Sequence, residues 1–115
     1  MRIEGQIEFA QVLTPFADAT VIVKVEDTRR ADAPAAVIAE QRIRHVSRLP
    51  GQHAPVSFAI DCPAGMELAH YALRVHVDVD ASGDVSSGDY VSTQSYPLAG
   101  VASPAGMVVR VEPVG

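Results

Sequence analysis

Residues 71–80, with the sequence YALRVHVDVD, show the pattern that decides the fold. Apolar side chains occupy every second position, from Tyr71 to Val79, and polar or small side chains fill the positions between them. Alternation with a period of two is typical of a β-strand, because successive side chains point to opposite faces of a sheet. One apolar and one polar face indicate an antiparallel sheet with one side buried and the other in water.

Similar alternation extends outward from this stretch in both directions. It recurs over residues 2–9, 19–26, 56–61 and 107–114, and residues 90–93 are rich in β-forming side chains. Turn-forming Pro, Gly, Asp and Ser residues separate the segments. Short strands punctuated in this way are typical of a β-sandwich or barrel. We therefore predict an all-β protein, a single-domain antiparallel β-sandwich of seven to eight strands covering residues 1–115. The valine-rich faces of residues 19–27 and 71–80 are expected to meet in its core.

Residues 33–46 fit two structures from sequence alone. Asp32 and Pro34 are suited to the start of a helix, and Ala36, Ala39, Ile43 and Val46 would share one helical face. Val37, Ala39, Gln41 and Ile43 also alternate as they would in a strand. Composition favours the helix slightly, and the family resemblance described below favours the strand.

Charge and composition exclude several classes of function. The 115 residues carry a formal net charge of -5, whereas binding to nucleic acid needs a dense basic patch. We therefore predict no nucleic-acid partner. No apolar run approaches the roughly 20 residues of a membrane-spanning helix, so no transmembrane segment is expected. The single cysteine, Cys62, allows no internal disulfide.

The order of several segments resembles the YbaY/YscW-type small bacterial lipoproteins. The matching segments are GQI at 5–7, ATVIVKVEDT at 19–28, AVIAEQ at 36–41, GQ at 51–52 with PVSF at 55–58, YALRV at 71–75 and DYV at 89–91. This family includes pilotins, the chaperones that help a type III secretion secretin reach the outer membrane. The resemblance implies an antiparallel β-sandwich and a non-enzymatic, chaperone-like role that depends on binding a protein partner. The identity of that partner and the oligomeric state do not follow from it.

The same resemblance implies a periplasmic or outer-membrane location with a lipid attached to a cysteine. Cys62 lies in the middle of the chain and cannot be that anchor, and residues 1–4 already alternate like a strand. A cytoplasmic location is therefore the alternative, because the sequence shows no signal peptide and no lipid-anchor cysteine.

The second functional hypothesis is a calcium-binding loop within residues 78–89. Asp78, Asp80 and Ser82, with Gly83, repeat the first spacings of a calcium loop, and Asp89 falls at its twelfth position. The predicted metal ligands are Asp78, Asp80, Asp84 and Asp89. Aspartate and glycine are equally the residues of a solvated hairpin turn. We therefore predict no cofactor, with calcium as the alternative.

The sequence shows no set of residues for catalysis. The serines at 82–95 lie in no nucleophile-elbow motif, and the glycines at 100–106 lack the lysine and helix of a phosphate loop. His70 and His76 lie about 20 Å apart along a strand, too far to share one ion. We therefore predict a binding protein rather than an enzyme.

Overall fold

Eight β-strands make up the computed structural model, which describes residues 2–12, 14–27, 36–52, 54–62, 71–80, 82–85, 87–92, 96–98 and 106–114. The strands are β1 (Arg2–Phe9), β2 (Phe16–Asp27), β3 (Ala36–Arg48), β4 (Val56–Asp61), β5 (Tyr71–Asp78), β6 (Tyr90–Ser92), β7 (Tyr96–Pro97) and β8 (Met107–Pro113). The prediction of an all-β protein is confirmed. The described part of the chain contains no helix able to cross a membrane.

The strands form one sheet rather than the two of a sandwich. Their order is β3-β2-β5-β6-β8-β1-β4, and the short β7 pairs with β5 outside this path. The sheet curls until its end strands β3 and β4 approach each other, so that it nearly closes into a barrel. All pairs are antiparallel except β1 and β8, which run parallel. The structure thus differs from the predicted antiparallel sandwich in these details, because residue alternation identifies the buried face of a strand and not its neighbour.

The core is the interior of this curled sheet. β2 and β5 are adjacent in it, with Val21 opposite Val77, Val23 opposite Val75 and Val25 opposite Leu73. All six side chains are buried. The two valine-rich faces therefore do meet in the core, as neighbours in one sheet instead of as opposing layers.

Residues 33–46 fitted a helix or a strand by sequence. Residues 36–46 of this segment belong to strand β3. Residues 33–35 lie outside the described part of the chain. Ala39 and Ile43 pack against the core from β3, and Val46 belongs to it. Tertiary packing of these residues outweighs the intrinsic preference of alanine for a helix.

Paired irregularities bend β2 and β3 near one end of the sheet. Asp18 and His45 both have positive φ, at 60° and 61°, and the pairing of the two strands shifts register beside them. His45 Nδ1 lies 2.8 Å from Asp18 Oδ1, which ties the two residues across the strands. Bulges of this kind increase local twist, and here they help the sheet curl.

Three aromatic rings fill one end of the barrel. The ring centroids of Phe9, Phe16 and Tyr90 lie 5.3–5.9 Å apart, and the Phe9–Tyr90 pair meets edge to face. The guanidinium of Arg48 lies 5.5 Å from the Phe9 centroid. Because β1, β2 and β6 each contribute one ring, the rings hold together strands that are far apart in the chain.

Candidate functional site

A buried cluster of one imidazole and two carboxylates lies where β5 ends. It consists of His76, Asp78 and Asp89, each of which offers one ligand atom within 4.8 Å of the others. His76 Nε2 is 2.8 Å from Asp89 Oδ2. Asp78 is 5% exposed and Asp89 is 0% exposed. We call these three residues the His76 cluster.

Backbone amides hold both carboxylates in place. The amide of Val79 donates to Asp89 Oδ1 at 2.9 Å, and the amide of Gly83 donates to Asp78 Oδ2 at 2.9 Å. Gly83 has a φ of +83°, a conformation that glycine adopts at no steric cost. The remaining oxygen of Asp78, Oδ1, is buried without a hydrogen-bond partner among the described atoms.

The His76 cluster occupies the outward-facing side of β5, opposite in direction to the core residues Val75 and Val77. On the same side, the register places Ile22 of β2 beside His76, and Ile22 is buried although it lies outside the main core cluster. The protein therefore has a second, small buried layer outside the barrel wall. Alternation alone predicted that these positions would face water.

The other predicted calcium ligands lie in the turn that follows. Asp80 Oδ1 accepts a hydrogen bond from the Ser82 amide at 3.2 Å, and the Ser82 hydroxyl donates to the carbonyl oxygen of Asp84 at 2.9 Å. Asp80 and Asp84 are both exposed. The structure thus brings Asp78 and Asp89 together with His76, whereas Asp80 and Asp84 do not belong to that group. Binding of calcium by the four aspartates stays a prediction.

A second feature is the seam where β3 and β4 meet without pairing as strands. Among the described strands, β3 pairs with β2 and β4 pairs with β1, and neither has a second strand neighbour. One side-chain bond crosses midway, from the Ala59 amide to Gln41 Oε1 at 3.1 Å. At the loop end, Arg48 Nη2 donates to the carbonyl oxygen of Ala54 at 2.8 Å. We call this region, Ala36–Arg48 facing Val56–Asp61, the β3–β4 seam.

An open cleft of about 600 Å³ runs beside the seam. Residues of β1, β4 and β8, together with Gln41 of β3, line it. Gly5 lies at its floor, and a side chain there would overlap the carbonyl oxygen of Met107. The close approach of β1 and β8 at Gly5 therefore helps to shape the cleft.

The outer surface of β3 combines apolar and basic side chains. Val37 is 47% exposed, and Arg42 and Arg44 are also exposed. Arg42 pairs with Glu40 at 3.2 Å. A long edge strand with this mixture offers both backbone groups and side-chain anchors to a second chain.

Cys62 is buried in the core, and burial raises the pKa of its thiol. The protonated thiol is a poor nucleophile, since the thiolate is the reactive form. The structure therefore places Cys62 among the packing residues of the core.

Sequence reasoning missed two residues of these features, His76 and Gln41. His76 lies two residues before Asp78, so both side chains point to the same face of β5, and this signal was available. The contact of Gln41 with β4 depends on closure of the sheet, for which the sequence contains no signal.

A family model described as type III secretion system lipoprotein chaperone (YscW) matches residues 1–97 of the chain. The match thus extends through β7 and leaves β8 outside. None of the curated proteins compared with the chain matches it significantly.

The fold also occurs in a solved structure, that of an alternative pilotin from the type II secretion system of Vibrio cholerae. The two structures superpose with a TM-score of 0.75 over 100% of this chain and 97% of the other, at 22% sequence identity. At this identity the likeness shows a common fold.

Proposed function

Because the chain belongs to the YscW family of type III secretion system lipoprotein chaperones, we propose that it binds and escorts a protein component of a secretion system at the cell envelope. The role is one of binding and requires no catalytic residues. The observation that supports a specific surface for it is the β3–β4 seam, where two neighbouring edge strands remain without second partners among the described strands.

The seam suits a partner segment in extended conformation. An edge strand presents a row of backbone N–H and C=O groups that a second chain can pair with. The pairing of β4 with β1 extends to Arg2–Asp61, and the pairing of β3 with β2 extends to Asp27–Ala36. The unpaired edges of β3 and β4 are therefore long enough to pair with several residues of a partner segment. The bridge from Gln41 to Ala59 occupies one point of the seam and leaves residues 36–40 of β3 beyond it.

The side chains of β3 suggest what the partner segment contains. Val37 supplies an apolar contact, and Arg44 adds positive charge on a protein whose formal net charge is -5. A segment that alternates apolar and acidic residues would match this surface, because alternate residues of an added strand face the same side.

Crosslinking in cells tests the surface. A photo-crosslinking amino acid replaces Val37 in one variant and Val85 in a control variant, since both valines are exposed, at 47% and 57%, and lie in different regions. We expect an envelope protein of the secretion system to be captured from position 37 and not from position 85. The substitution Val37→Asp should weaken binding of the captured protein by about tenfold or more, because it places an unpaired charge in the contact.

The control substitution Val85→Asp should leave that affinity unchanged. Capture from position 85 alone, or equal affinity of V37D and the unchanged protein, would show that the seam is not the contact surface. Failure to capture any secretion component from either position, with the system expressed, would count against the chaperone role itself.

The proposed role also requires the protein to reach the cell envelope. Fractionation of cells that express the natural gene should recover it with the periplasm or outer membrane. Recovery in the cytosol alone would contradict an envelope role.

A further inference from the structure

The His76 cluster has the composition of a metal site and not only of an ion pair. It brings one imidazole nitrogen and two carboxylate oxygens within 4.8 Å of one another. The side chain of His76 is 12% exposed and that of Asp89 is 0% exposed, so water screens their charges poorly. A positive charge nearby stabilises buried carboxylates that are placed this close together.

The described cross-strand neighbours of His76 and Asp78 carry no charge. The register places Ile22 and Val91 beside His76 and Thr20 beside Asp78, and none of these side chains is ionisable. A bound divalent cation would neutralise the pair of carboxylates.

Asp78 gives the second, independent observation. Asp78 is only 5% exposed. Its Oδ2 accepts a hydrogen bond from the Gly83 amide, but its Oδ1 has no hydrogen-bond partner among the described atoms. A buried acceptor without a partner is costly, and binding of an ion is one way in which a protein satisfies it. Asp78 also contributes a carboxylate oxygen to the His76 cluster, so its side chain has an acceptor available to a bound ion.

We propose that His76, Asp78 and Asp89 bind one divalent transition-metal cation, for which Zn²⁺ and Mn²⁺ are suitable probes. Imidazole nitrogen with carboxylate oxygen is a donor set that such ions accept, whereas Ca²⁺ takes six to eight oxygen ligands and seldom a histidine. The amides of Val79 and Gly83 orient the carboxylates, as outer-shell donors do in other metal sites. This site is independent of the proposed chaperone role.

A cation bound by Asp78 and Asp89 would link the end of β5 to the start of β6. Asp78 ends β5, and Asp89 directly precedes Tyr90, the first residue of β6. A ligand from each side of the turn closes a loop of about ten residues, and fixing this loop should stabilise the native state. Binding should therefore be visible as a rise in thermal stability.

Thermal unfolding of the untagged protein, first freed of metal with EDTA, tests the proposal. We expect Zn²⁺ or Mn²⁺ at 100 μM, about a hundred times a micromolar Kd, to raise Tm by several degrees, and metal analysis to find one ion per chain. The variant Asp78→Asn should lose this rise and bind at least about tenfold more weakly. Without metal, D78N should be as stable as the unchanged protein or more so, because it removes a buried charge.

The double variant Asp80→Asn with Asp84→Asn is the matched control, since these acids lie in the same turn outside the cluster. It should keep the full response to Zn²⁺ or Mn²⁺. No rise in Tm for the unchanged protein, or an equal rise in D78N, would overturn the proposal. A rise with millimolar Ca²⁺ alone that the double variant loses would overturn it in favour of the calcium loop. If D78N does not fold, His76→Gln serves the same comparison.

Discussion

Two titratable side chains in the core show how burial changes the pKa of a residue. Tyr90 and Cys62 are 4% and 7% exposed, and burial raises the pKa of both above their ordinary values. Desolvation disfavours the charged forms of phenol and thiol, so both groups remain neutral in the folded protein well beyond neutral pH. Their neutrality lets them pack as apolar residues.

Tyr90 should make stability fall in strongly alkaline solution. The phenol ionises near pH 10 in the unfolded chain and at higher pH in the folded one, so its contribution is complete below pH 10 and is lost as pH rises through the folded pKa. We expect the urea midpoint to fall between pH 9 and 11 and to fall less in Tyr90→Phe. Parallel curves for the two proteins would contradict this role for Tyr90.

Sequence alternation predicted the burial of some residues of β5 correctly and that of others wrongly. Alternation identified Val75 and Val77 as core residues correctly, because burial on one face follows from the period of two. It placed His76 and Asp78 on the wet face, where the chain in fact forms a second buried layer with Ile22. The pairing of Asp89 with His76 spans 13 positions and depends on the turn between them, so only the structure shows it.

At the scale of elements, the parallel pair β1–β8 is the least expected feature. The two strands approach so closely at Gly5 that a Cβ there would overlap the backbone of Met107. Alternation had placed Gly5 on the inner face, between Ile3 and Ile7, without a reason for the missing side chain. The reason is the neighbouring strand, about 100 positions away, which pattern reasoning could not identify.

Substitution of Gly5 by alanine should loosen this pair. We expect Gly5→Ala to lower the free energy of unfolding by about 1–3 kcal/mol, as overpacking does, because backbone rather than a flexible side chain must move. Urea denaturation gives the value. The exposed neighbour Gln6→Ala is the control and should change it by no more than about 0.5 kcal/mol. Equal effects of the two substitutions would refute the close approach.

For the whole molecule, the strand order makes β8 the connection between two halves. It pairs with β6 on one side and with β1 on the other, so it joins β3-β2-β5-β6 to β1-β4. The sequence predicted the class and most strand positions, since these depend on local alternation and turns. It could not predict one curled sheet rather than two layers, because closure depends on which distant strands pair.

A chain that ends after Gly106 should therefore fail to fold cooperatively. It would lose both pairings of β8 and the buried side chains of Val109 and Val111, and the core residues that pack against them would become exposed. Near-ultraviolet circular dichroism during urea denaturation should show no sigmoidal transition. Full-length Val108→Thr, which alters an exposed side chain of the same strand, should keep the transition. A truncated chain with an unchanged midpoint would contradict the connecting role of β8.

The parallel arrangement of β1 and β8 also sets how the protein responds to force. β1 begins at Arg2 and β8 ends at Pro113, and because the strands run side by side in one direction, these ends lie at opposite ends of the pair. Tension applied between the termini therefore loads the hydrogen bonds from Gly5–Met107 to Phe9–Val111 in shear, all together, instead of opening them one after another as in unzipping. A protein held by one terminus and pulled by the other would thus resist extension through the β1–β8 pair.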